Sequence, residues 1–572
     1  MPRNLAAPTT AAVAGLLLLA SHPPVGWWPL SFAAPGLLVV ALWLDAAVDH
    51  ANGRGPRGAV RGFRLGALAG AAAFAPMLGW LILPAGYVGW GLLVAVQVLW
   101  FGLLGTLVAV FLDRWWLPFA AAAVWTGIDA WRGTFPLNGF EWGAIEYAHV
   151  DGSWLLPLAR ILGGRGITFL VVLISVAAAM AAMATLRAVR DRDGGRVEQA
   201  LGGTRRPLVI FVGALLVSVL ATVEPPAEDG TLDVLAVQGN DVRHWEDDTP
   251  DPDPPLRIAT ALRDETLAAV DRDGVPDLTV WPESSLDRDP HSARGEQLGE
   301  RADETAEVVG VLLSGVTLDG PEPAENRYVA ASVYEGGLNE VDRYVKRRLV
   351  PFGEYIPARD LLDWFPPLEQ IPRDALSADE PHNVEVADGV KAAVIICFET
   401  KFSDVVAENI LADDDPAQIV ITVTNDASFG DSAEPAQHLA QSQLRAVETG
   451  RWVVHAALTG SSAFVDPDGG THQDTDLFTV DSIRSSVPLV AGLTPYLVVG
   501  DVVGWIGRIA VVVALVVGVI DWRRRDRPAA SRAGRDANDA VGGSDGTGAG
   551  SSGDGRGPND GARGSIRHGA DR

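Results

Sequence analysis

Long apolar stretches dominate the first 223 residues of the chain and recur once near its C-terminus. Several approach the roughly 20 residues that a helix needs to cross the hydrocarbon layer of a membrane. The pattern therefore predicts an α-helical transmembrane bundle of about eight helices, of which the first and the fifth are short. The eight stretches are Leu5–Ala20, Leu30–Val48, Phe63–Leu83, Val88–Leu112, Trp116–Trp131, Ile167–Leu186, Leu208–Val223 and Val502–Ile520.

The positions of arginine predict which loops face the cytoplasm, because loops on that side carry an excess of Lys and Arg. Arginines follow stretches two, four, six and eight, which places all of these clusters inside if the N-terminus is inside. The alternate loops 21–29 and 84–86 contain neither Lys nor Arg. Arg132, after the fifth stretch, is the exception. A buried soluble core would not explain this alternation, so we expect the region after the seventh stretch to lie outside the cytoplasm.

That region has a different pattern, in which short β-like runs alternate with amphipathic helix-like runs. Such alternation predicts an α/β domain whose sheets are covered on at least one face. The predicted strands are Leu232–Val237, Leu278–Trp281, Val309–Gly315, Tyr328–Tyr334, Ala392–Cys397 and Ile419–Thr424. The predicted helices are Ala259–Val270, Glu296–Val308, Phe402–Leu411 and Ala436–Gly450.

The chain thus divides into four predicted segments. They are seven transmembrane helices in 1–223, the extracytoplasmic α/β domain in 224–495, a C-terminal transmembrane helix in 496–525 and a cytoplasmic tail in 526–572. The tail consists mainly of Gly, Ser, Asp and Arg with little apolar content, so it is expected to be disordered.

Charge and cysteine content narrow the possible partners. The net charge is −27, concentrated after residue 225, which argues against nucleic acid because its phosphates would be repelled. The single cysteine, Cys397, excludes an intramolecular disulfide. A lone cysteine is more often a small buried apolar residue than a nucleophile, so its neighbours must decide its role.

Three reactive residue types lie at or near the ends of predicted strands, where α/β sheets usually present functional groups. They are Glu283, Lys346 and Cys397. A carboxylate can take the proton of a thiol, and an ammonium can stabilise the oxyanion that forms when the thiolate attacks a carbonyl. Taken singly, a Glu or a Lys is usually a solvated surface group. Together, the three supply a base, an electrostatic clamp and a nucleophile.

The sequence around these residues resembles a known family. Glu283, Lys346 and Cys397 occur in the chain order of the Glu–Lys–Cys triad of the nitrilase superfamily. Within that superfamily, the surrounding motifs resemble those of the apolipoprotein N-acyltransferases. The motifs are VQGN (Val237–Asn240), WPES (Trp281–Ser284), LVPFGEYIP (Leu349–Pro357), CFE (Cys397–Glu399), TNDASFGDS (Thr424–Ser432), QHLAQSQLRAVETGR (Gln437–Arg451), FPLNGFEWGAIEYA (Phe135–Ala148) and TPY (Thr494–Tyr496). The resemblance covers roughly the first 520 residues.

The resemblance implies a nitrilase-like α-β-β-α sandwich held above the membrane by eight helices. It implies that Glu283 is the general base, Lys346 the oxyanion stabiliser and Cys397 the nucleophile. Glu354 would be an auxiliary carboxylate, although an ordinary loop salt bridge is an equal alternative. The family implies no metal and no cofactor.

Four further positions follow from the same resemblance. Glu399 would lie close to the thiol, and Trp245 would line the substrate cleft or simply pack. Phe398 stands where tyrosine is common, and Ser428 stands where tryptophan is common. These departures bear on the preference for the acyl donor rather than on the chemistry.

The implied reaction takes place at a lipid bilayer, in the cell membrane of a bacterium. Cys397 would take an acyl group from a phospholipid donor and pass it to the N-terminal amine of a diacylglyceryl apolipoprotein acceptor. Two alternatives remain at this point. One is a membrane-tethered amidase that transfers the acyl group to water, and the other is a catalytically silent homologue that binds lipoproteins.

Overall fold

The computed structural model describes residues 3–51, 58–190, 197–220, 223–241, 252–362 and 371–541. The chain forms two compact units, Met1–Val516 and Val517–Arg572. The first unit contains a helical bundle and an α/β domain. Of the second unit, the described part is the end of the last helix.

Helices occupy all eight of the predicted apolar stretches. They are α1 (Arg3–Ser21), α2 (Ala34–Ala51), α3 (Gly58–Met77), α4 (Ile82–Ala109), α5 (Leu117–Arg132), α6 (Ala159–Arg190), α7 (Val197–Leu220) and α14 (Val502–Val541). Four helical segments are long and apolar enough to cross a membrane by themselves: Trp28–Ala47, Gly79–Ala109, Leu156–Arg187 and Val502–Arg523. Among the other helices, α5 has only 16 residues, and α3 and α7 carry arginines near their N-terminal ends.

Small residues allow the bundle helices to approach closely, as is common in membrane proteins. A Cβ atom on Gly62 of α3 would lie 2.5 Å from the carbonyl oxygen of Gly105 on α4, and one on Gly66 would lie 2.1 Å from that of Phe101. Any side chain at Gly62 or Gly66 would therefore push α3 and α4 apart.

The last helix corrects one expectation from the sequence. Disorder was expected from residue 526, but α14 continues to Val541. A helix grows readily from an existing one, because each added residue gains a hydrogen bond without a new nucleation step. The segment also contains several Ala and Arg residues, which favour helix. The predicted tail beyond 541 lies outside the described residues.

The α/β domain contains thirteen described strands. They are β1 (Glu228–Gln238), β2 (Leu278–Leu286), β3 (Val311–Asp319), β4 (Asn326–Glu335), β5 (Glu340–Val345), β6 (Asp374–Ala375), β7 (Val384–Ala387), β8 (Val390–Ile396), β9 (Ile419–Thr424), β10 (Val453–Ala457), β11 (Ala463–Val465), β12 (Thr471–His472) and β13 (Asp481–Val490). Its helices are α8 (Pro254–Asp273), α9 (Glu296–Val309), α10 (Arg359–Leu362), α11 (Ser403–Ile410), α12 (Glu434–Thr449) and α13 (Pro495–Val499).

These strands form two sheets. The first has the order β13-β1-β2-β3-β4-β5, with β6 paired to β4, and the second has the order β12-β11-β10-β9-β8-β7. In each sheet the central strands are parallel, β1-β2-β3 in the first and β8-β9-β10 in the second, and the edge strands of both ordered paths are antiparallel to their neighbours.

The hydrophobic core shows that the sheets form the middle layers of a sandwich. One cluster of buried apolar side chains comes from both sheets and fills the space between them. A second cluster joins the first sheet to α8 and α9, and a third joins the second sheet to α11 and α12. The predicted fold class, a transmembrane bundle with an α-β-β-α sandwich, is therefore confirmed.

One side chain ties the sandwich to three loops of the bundle. Gln437, on α12, accepts hydrogen bonds from the indole nitrogens of Trp80 (3.2 Å) and Trp142 (2.6 Å). Its amide nitrogen donates to the carbonyl oxygen of Pro23 (3.2 Å). These residues follow α1, α3 and α5, so these three loops lie on the same side of the bundle as the sandwich.

Arg132, the exception to the arginine pattern, is buried at the end of α5. Its guanidinium pairs with Asp129 at 2.7 Å and donates to the carbonyl oxygens of Phe140 and Trp142. A buried charge that is paired and hydrogen-bonded is part of the packing, not a free loop cation. Arg132 therefore shapes the loop after α5.

Candidate active site

The only cysteine begins a turn at the end of a buried strand. Cys397 directly follows β8 and starts a short 3₁₀ helix that runs to Lys401. Its φ of 51° is in the left-handed region, which is costly for a residue with a side chain and is often found at functional sites. This backbone turns the chain away from β8 as soon as the strand ends.

Glu283 lies on β2, at an irregularity in the pairing of β2 with β3. The register shifts between Trp281 and Leu286, and Ser284 has a φ of 61°. The apolar pattern predicted a strand that ends at Trp281, before Glu283. The observed strand β2 continues to Leu286, so Glu283 lies inside it. Its side chain is buried, and its Oε2 accepts a hydrogen bond from the backbone nitrogen of Asn425 at 3.1 Å.

Lys346 follows β5 and is completely buried, with 0% exposure. Its ammonium donates to Glu283 Oε1 at 3.2 Å and to Glu354 Oε1 at 2.6 Å. The second oxygen of Glu354 accepts from the backbone nitrogen of Val350 at 2.7 Å. Of the two alternatives for Glu354, the structure has it paired with Lys346, in contact with the candidate triad.

The thiol of Cys397 completes the cluster. It lies near the Glu283 carboxylate and the Thr424 hydroxyl, both of which influence the pKa of the thiol. The structure therefore brings Glu283, Lys346 and Cys397 together from three strands that belong to both sheets.

Burial and charge set the protonation states of this cluster. Burial raises the pKa of Glu283, and Lys346 opposes that rise. Burial alone would lower the pKa of Lys346, but Glu283 and Glu354 raise it well above its ordinary value, so the ammonium stays charged. Burial, then the charge of Glu283, raises the pKa of the Cys397 thiol, against the influence of Lys346. The resting thiol is thus protonated and needs a base to react.

Glu399 is fully buried and connects two segments of the site. Its carboxylate accepts hydrogen bonds from the backbone nitrogens of Arg347 (2.7 Å), Arg348 (2.9 Å) and Ile396 (3.0 Å), and from the hydroxyl of Tyr344 (3.0 Å). It therefore fixes the chain just after Lys346 against the chain just before Cys397. Burial raises the pKa of Glu399, and the charge of Lys346 and then these backbone donors oppose the rise.

Phe398, beside the nucleophile, faces the bundle. Its ring stacks with that of Phe140, which lies in the loop after α5, at 6.4 Å between centroids. The ammonium of Lys401 lies 3.5 Å from the centroid of the Phe398 ring and donates to the carbonyl oxygen of Gly139 at 2.8 Å. Phe398, the residue next to Cys397, thus forms an aromatic contact between the sandwich and the bundle. Trp245, the remaining predicted site residue, lies outside the described residues.

The sequence interpretation missed several residues of this site. Asn425 and Thr424 lie next to the triad in the motif TNDASFGDS, which carries the resemblance but gives no role to either residue. Lys401 ends the turn that begins at Cys397 and lies just outside the motif CFE. His438 was missed as well: its Nε2 lies 3.1 Å from the carbonyl oxygen of Cys397. The short distances join segments far apart in the chain, so spacing along the sequence gave no signal.

One group of side chains in the described part of the chain has the composition of a metal site. The ligand atoms of Asp426, His438 and His455 lie within 4.8 Å of one another, and all three residues are buried. Both ring nitrogens of His438 already have protein partners, Asp426 and Cys397. His438 is thus held by hydrogen bonds to Asp426 and Cys397, whereas His455 bonds to Ser442 and, among the described residues, its Nε2 and the Oδ2 of Asp426 have no hydrogen-bond partner.

Comparison with known proteins agrees with this geometry. The family model for the apolipoprotein N-acyltransferase N-terminal domain matches residues 14–177, and that for carbon-nitrogen hydrolases matches residues 263–486. An apolipoprotein N-acyltransferase of Mycolicibacterium smegmatis is 32% identical over 90% of this chain and 85% of its own length. One of Nitrosomonas europaea is 30% identical over 68% of this chain and 73% of its own.

Among solved structures, an amidase from Nesterenkonia sp. is 18% identical, with a TM-score of 0.32, over 46% of this chain and 92% of its own. The relative of Mycolicibacterium matches 90% of this chain and so extends across both the bundle and the sandwich, as do the two family models together. The resemblance found in the sequence motifs is thereby confirmed. The chain belongs to the apolipoprotein N-acyltransferase family.

Proposed function

We propose that this protein transfers a fatty acyl group from a phospholipid, through a thioester on Cys397, to the N-terminal amine of a diacylglyceryl apolipoprotein. The observation that carries the proposal is the position of the buried Glu283 carboxylate, which accepts a hydrogen bond from the Lys346 ammonium at 3.2 Å and lies near enough to the Cys397 thiol for each to influence the pKa of the other. A base, a fixed positive charge and a nucleophile meet there in a buried site.

In the first half-reaction, Glu283 takes the proton of the Cys397 thiol and the sulfur attacks the carbonyl carbon of the ester. Lys346 stabilises the negative charge that develops on the carbonyl oxygen. The C–O bond then breaks, and the departing alkoxide takes the proton from Glu283. A lysophospholipid leaves, and the acyl group remains on Cys397 as a thioester.

In the second half-reaction, the amine of the acceptor attacks the thioester carbonyl and loses a proton to Glu283. The C–S bond breaks, the thiolate recovers that proton, and the amide product leaves. Glu354 keeps Lys346 in place through both halves, because it binds the same ammonium. Water must stay out between the two halves, since it would hydrolyse the thioester.

The bundle supplies the membrane anchor that such chemistry needs. The chain is a membrane protein, and a donor with two acyl chains stays in the bilayer because each buried methylene contributes about 0.8 kcal/mol. The contact of Phe140 with Phe398 supports an acyl path along the boundary between bundle and sandwich. We place the protein in the bacterial inner membrane with its sandwich outside the cytoplasm.

The proposal is tested by trapping the acyl-enzyme. Purified protein incubated with a phospholipid is expected to give a hydroxylamine-sensitive acyl adduct on the peptide that contains Cys397, and Cys397→Ala is expected to give none. An adduct that persists in Cys397→Ala would refute thioester catalysis. Adding a diacylglyceryl peptide should convert the adduct to an N-acylated product, whereas release of free fatty acid alone would indicate an amidase-type hydrolase.

A further inference from the structure

The backbone of the nucleophile is held by a buried histidine. His438, on α12, is 1% exposed, and its Nε2 lies 3.1 Å from the carbonyl oxygen of Cys397. A carbonyl oxygen only accepts hydrogen bonds, so Nε2 must carry a proton and donate it. The bond therefore holds the backbone of Cys397, whose φ of 51° is unfavourable for a residue with a side chain.

The other ring nitrogen of His438 also faces only acceptors. Nδ1 lies 3.2 Å from Asp426 Oδ1 and 3.4 Å from the hydroxyl oxygen of Thr424. The Thr424 hydroxyl donates its proton to Asp426 at 3.0 Å, so only its lone pairs remain for Nδ1. Nδ1 must therefore carry a proton as well, which makes the ring an imidazolium paired with the Asp426 carboxylate.

The remaining groups around His438 are consistent with this arrangement. Glu434, one turn earlier on α12, has its Oε1 3.9 Å from Nδ1. The ring of His455, on β10, packs edge-on at 5.4 Å, and Ser442 lies 2.8 Å from its Nδ1. Burial, and then the charge of His438, lower the pKa of His455 to about 3, so His455 is neutral. Trp142, from the bundle, lies 6.1 Å away.

The charge of His438 affects the pKa of the Cys397 thiol through Asp426. After burial and the charge of Glu283, Asp426 is a further negative group that raises the pKa of the Cys397 thiol. A protonated His438, paired with Asp426 at 3.2 Å, offsets that charge. The histidine thus has two effects, one on the backbone of Cys397 and one on its sulfur.

We propose that His438 is a positioning residue for the acyl transfer, and that it acts as an imidazolium that holds the turn at Cys397 and offsets the charge of Asp426. It does not touch the reacting atoms. Because Gln437, its neighbour on α12, binds three loops of the bundle, the same helix links those loops to the nucleophile. This inference rests on the proposed role of Cys397 as nucleophile.

The test measures the reactivity of the thiol without any acyl donor. The rate at which iodoacetamide alkylates Cys397 is recorded against pH in the full-length protein in detergent. His438→Gln keeps a donor for the carbonyl of Cys397 but loses the charge, so the profile should shift to higher pH by about one unit, as expected for the loss of a nearby opposite charge. Adding Asp426→Asn to this variant should move the profile back.

The matched control is His455→Gln, which alters the neighbouring buried histidine that has no bond to Cys397. It should leave the alkylation profile unchanged. An unchanged profile in folded His438→Gln would overturn the proposal, as would a stoichiometric metal ion bound to His438 in the purified protein. If His438→Gln fails to fold, the nitrogen-15 chemical shifts of the His438 ring in the folded wild type decide: the proposal expects those of an imidazolium at neutral pH, and those of a neutral ring would overturn it.

The readout is independent of the proposed function. If the thiol profile shifts as expected but no acyl adduct forms with phospholipid, the role of His438 stands and the acyl donor is wrong. If the adduct forms in the wild type and the profile does not move in His438→Gln, the acyltransferase stands and the role of His438 is wrong.

Discussion

Glu283 and Lys346 share one hydrogen bond, yet the proposed mechanism gives them different tasks. Glu283 removes a proton before the sulfur attacks, and Lys346 stabilises charge after the attack. A neutral substitute at either position retains much of the side-chain volume. The two roles can therefore be separated by their response to pH.

Glu283→Gln should lower the rate of thioester formation by a factor of about 10²–10⁴, the usual contribution of a positioned base. Lys346→Met should lower it by about 10²–10³, as for the loss of one oxyanion donor. Raising the pH should partly restore Glu283→Gln, because hydroxide then ionises the thiol, and should restore Lys346→Met much less. Single-turnover acylation measured against pH distinguishes them, and equal recovery of both variants would show that the roles are assigned wrongly.

Glu354 should affect the pH profile through Glu283. Glu283 must be ionised to act as a base, so the rate should fall as the pH drops through its pKa, which burial raises above 4.5. The negative charge of Glu354 contributes to that rise. Glu354→Gln should therefore lower the pKa of Glu283 and move the acid limb of the profile to lower pH. An acid limb that moves upward would contradict this coupling, and Glu408→Gln, an exposed carboxylate on α11, serves as the control.

At the scale of elements, the site depends on how the ends of β5 and β8 are held together. Glu399 accepts hydrogen bonds from backbone nitrogens on both sides of this junction. Removing a buried hydrogen-bond acceptor of this kind lowers the stability of the fold, because its donors stay buried without a partner. The bonds of Glu399 therefore contribute to the free energy of folding as well as to the geometry of the site.

Glu399→Gln should destabilise the protein by about 1–3 kcal/mol, since the new amide would turn a donor toward donors. Tyr344→Phe, which removes a single hydroxyl from the same carboxylate, should cost less. Thermal unfolding of both variants in the same detergent provides the comparison. A Glu399→Gln variant as stable as the wild type would mean that the carboxylate is not what holds the junction.

The same elements show how far the sequence alone could predict this fold. Every run predicted as a strand in the sandwich overlaps an observed strand, because the predicted parts of strands such as β1, β3, β8 and β9 are apolar and mostly buried. Two runs extend past the observed bounds, since Val309 ends α9 and Cys397 begins the turn after β8. β5 was missed because it reads EVDRYV and only one of its six residues is buried. Pairing with β4 stabilises β5, and the hydrophobic pattern of β5 itself does not predict that pairing.

The site was predicted in part for a similar reason. Glu283, Lys346 and Cys397 stand in recognisable motifs, so the resemblance identified them. Asp426 and His438 are also in those motifs, but their importance appears only when α12 folds over the end of β8. Residues that act through a partner distant in sequence need the tertiary structure to be found.

At the scale of the whole molecule, Gln437 bears on the arrangement across the membrane. Its three partners lie in loops that the arginine pattern places outside the cytoplasm: those after α1, α3 and α5. The sandwich is bound to all three loops through one side chain. Two independent features, charge in the loops and contacts in the fold, therefore lead to the same expected topology.

The topology can be tested with cysteines on opposite faces, in a Cys397→Ala background that has no other thiol. Arg114 follows α4 and is exposed, and Glu335 ends β4 on the surface of the sandwich. A membrane-impermeant maleimide added to intact cells, stripped of their outer membrane where one is present, should label Glu335→Cys. It should reach Arg114→Cys only after the membrane is opened, because that loop is expected to face the cytoplasm. Both sites should react equally in detergent, which controls for burial. Labelling of both from outside would overturn the eight-helix arrangement, and protection of Glu335→Cys would place the sandwich, with its thiol, in the cytoplasm.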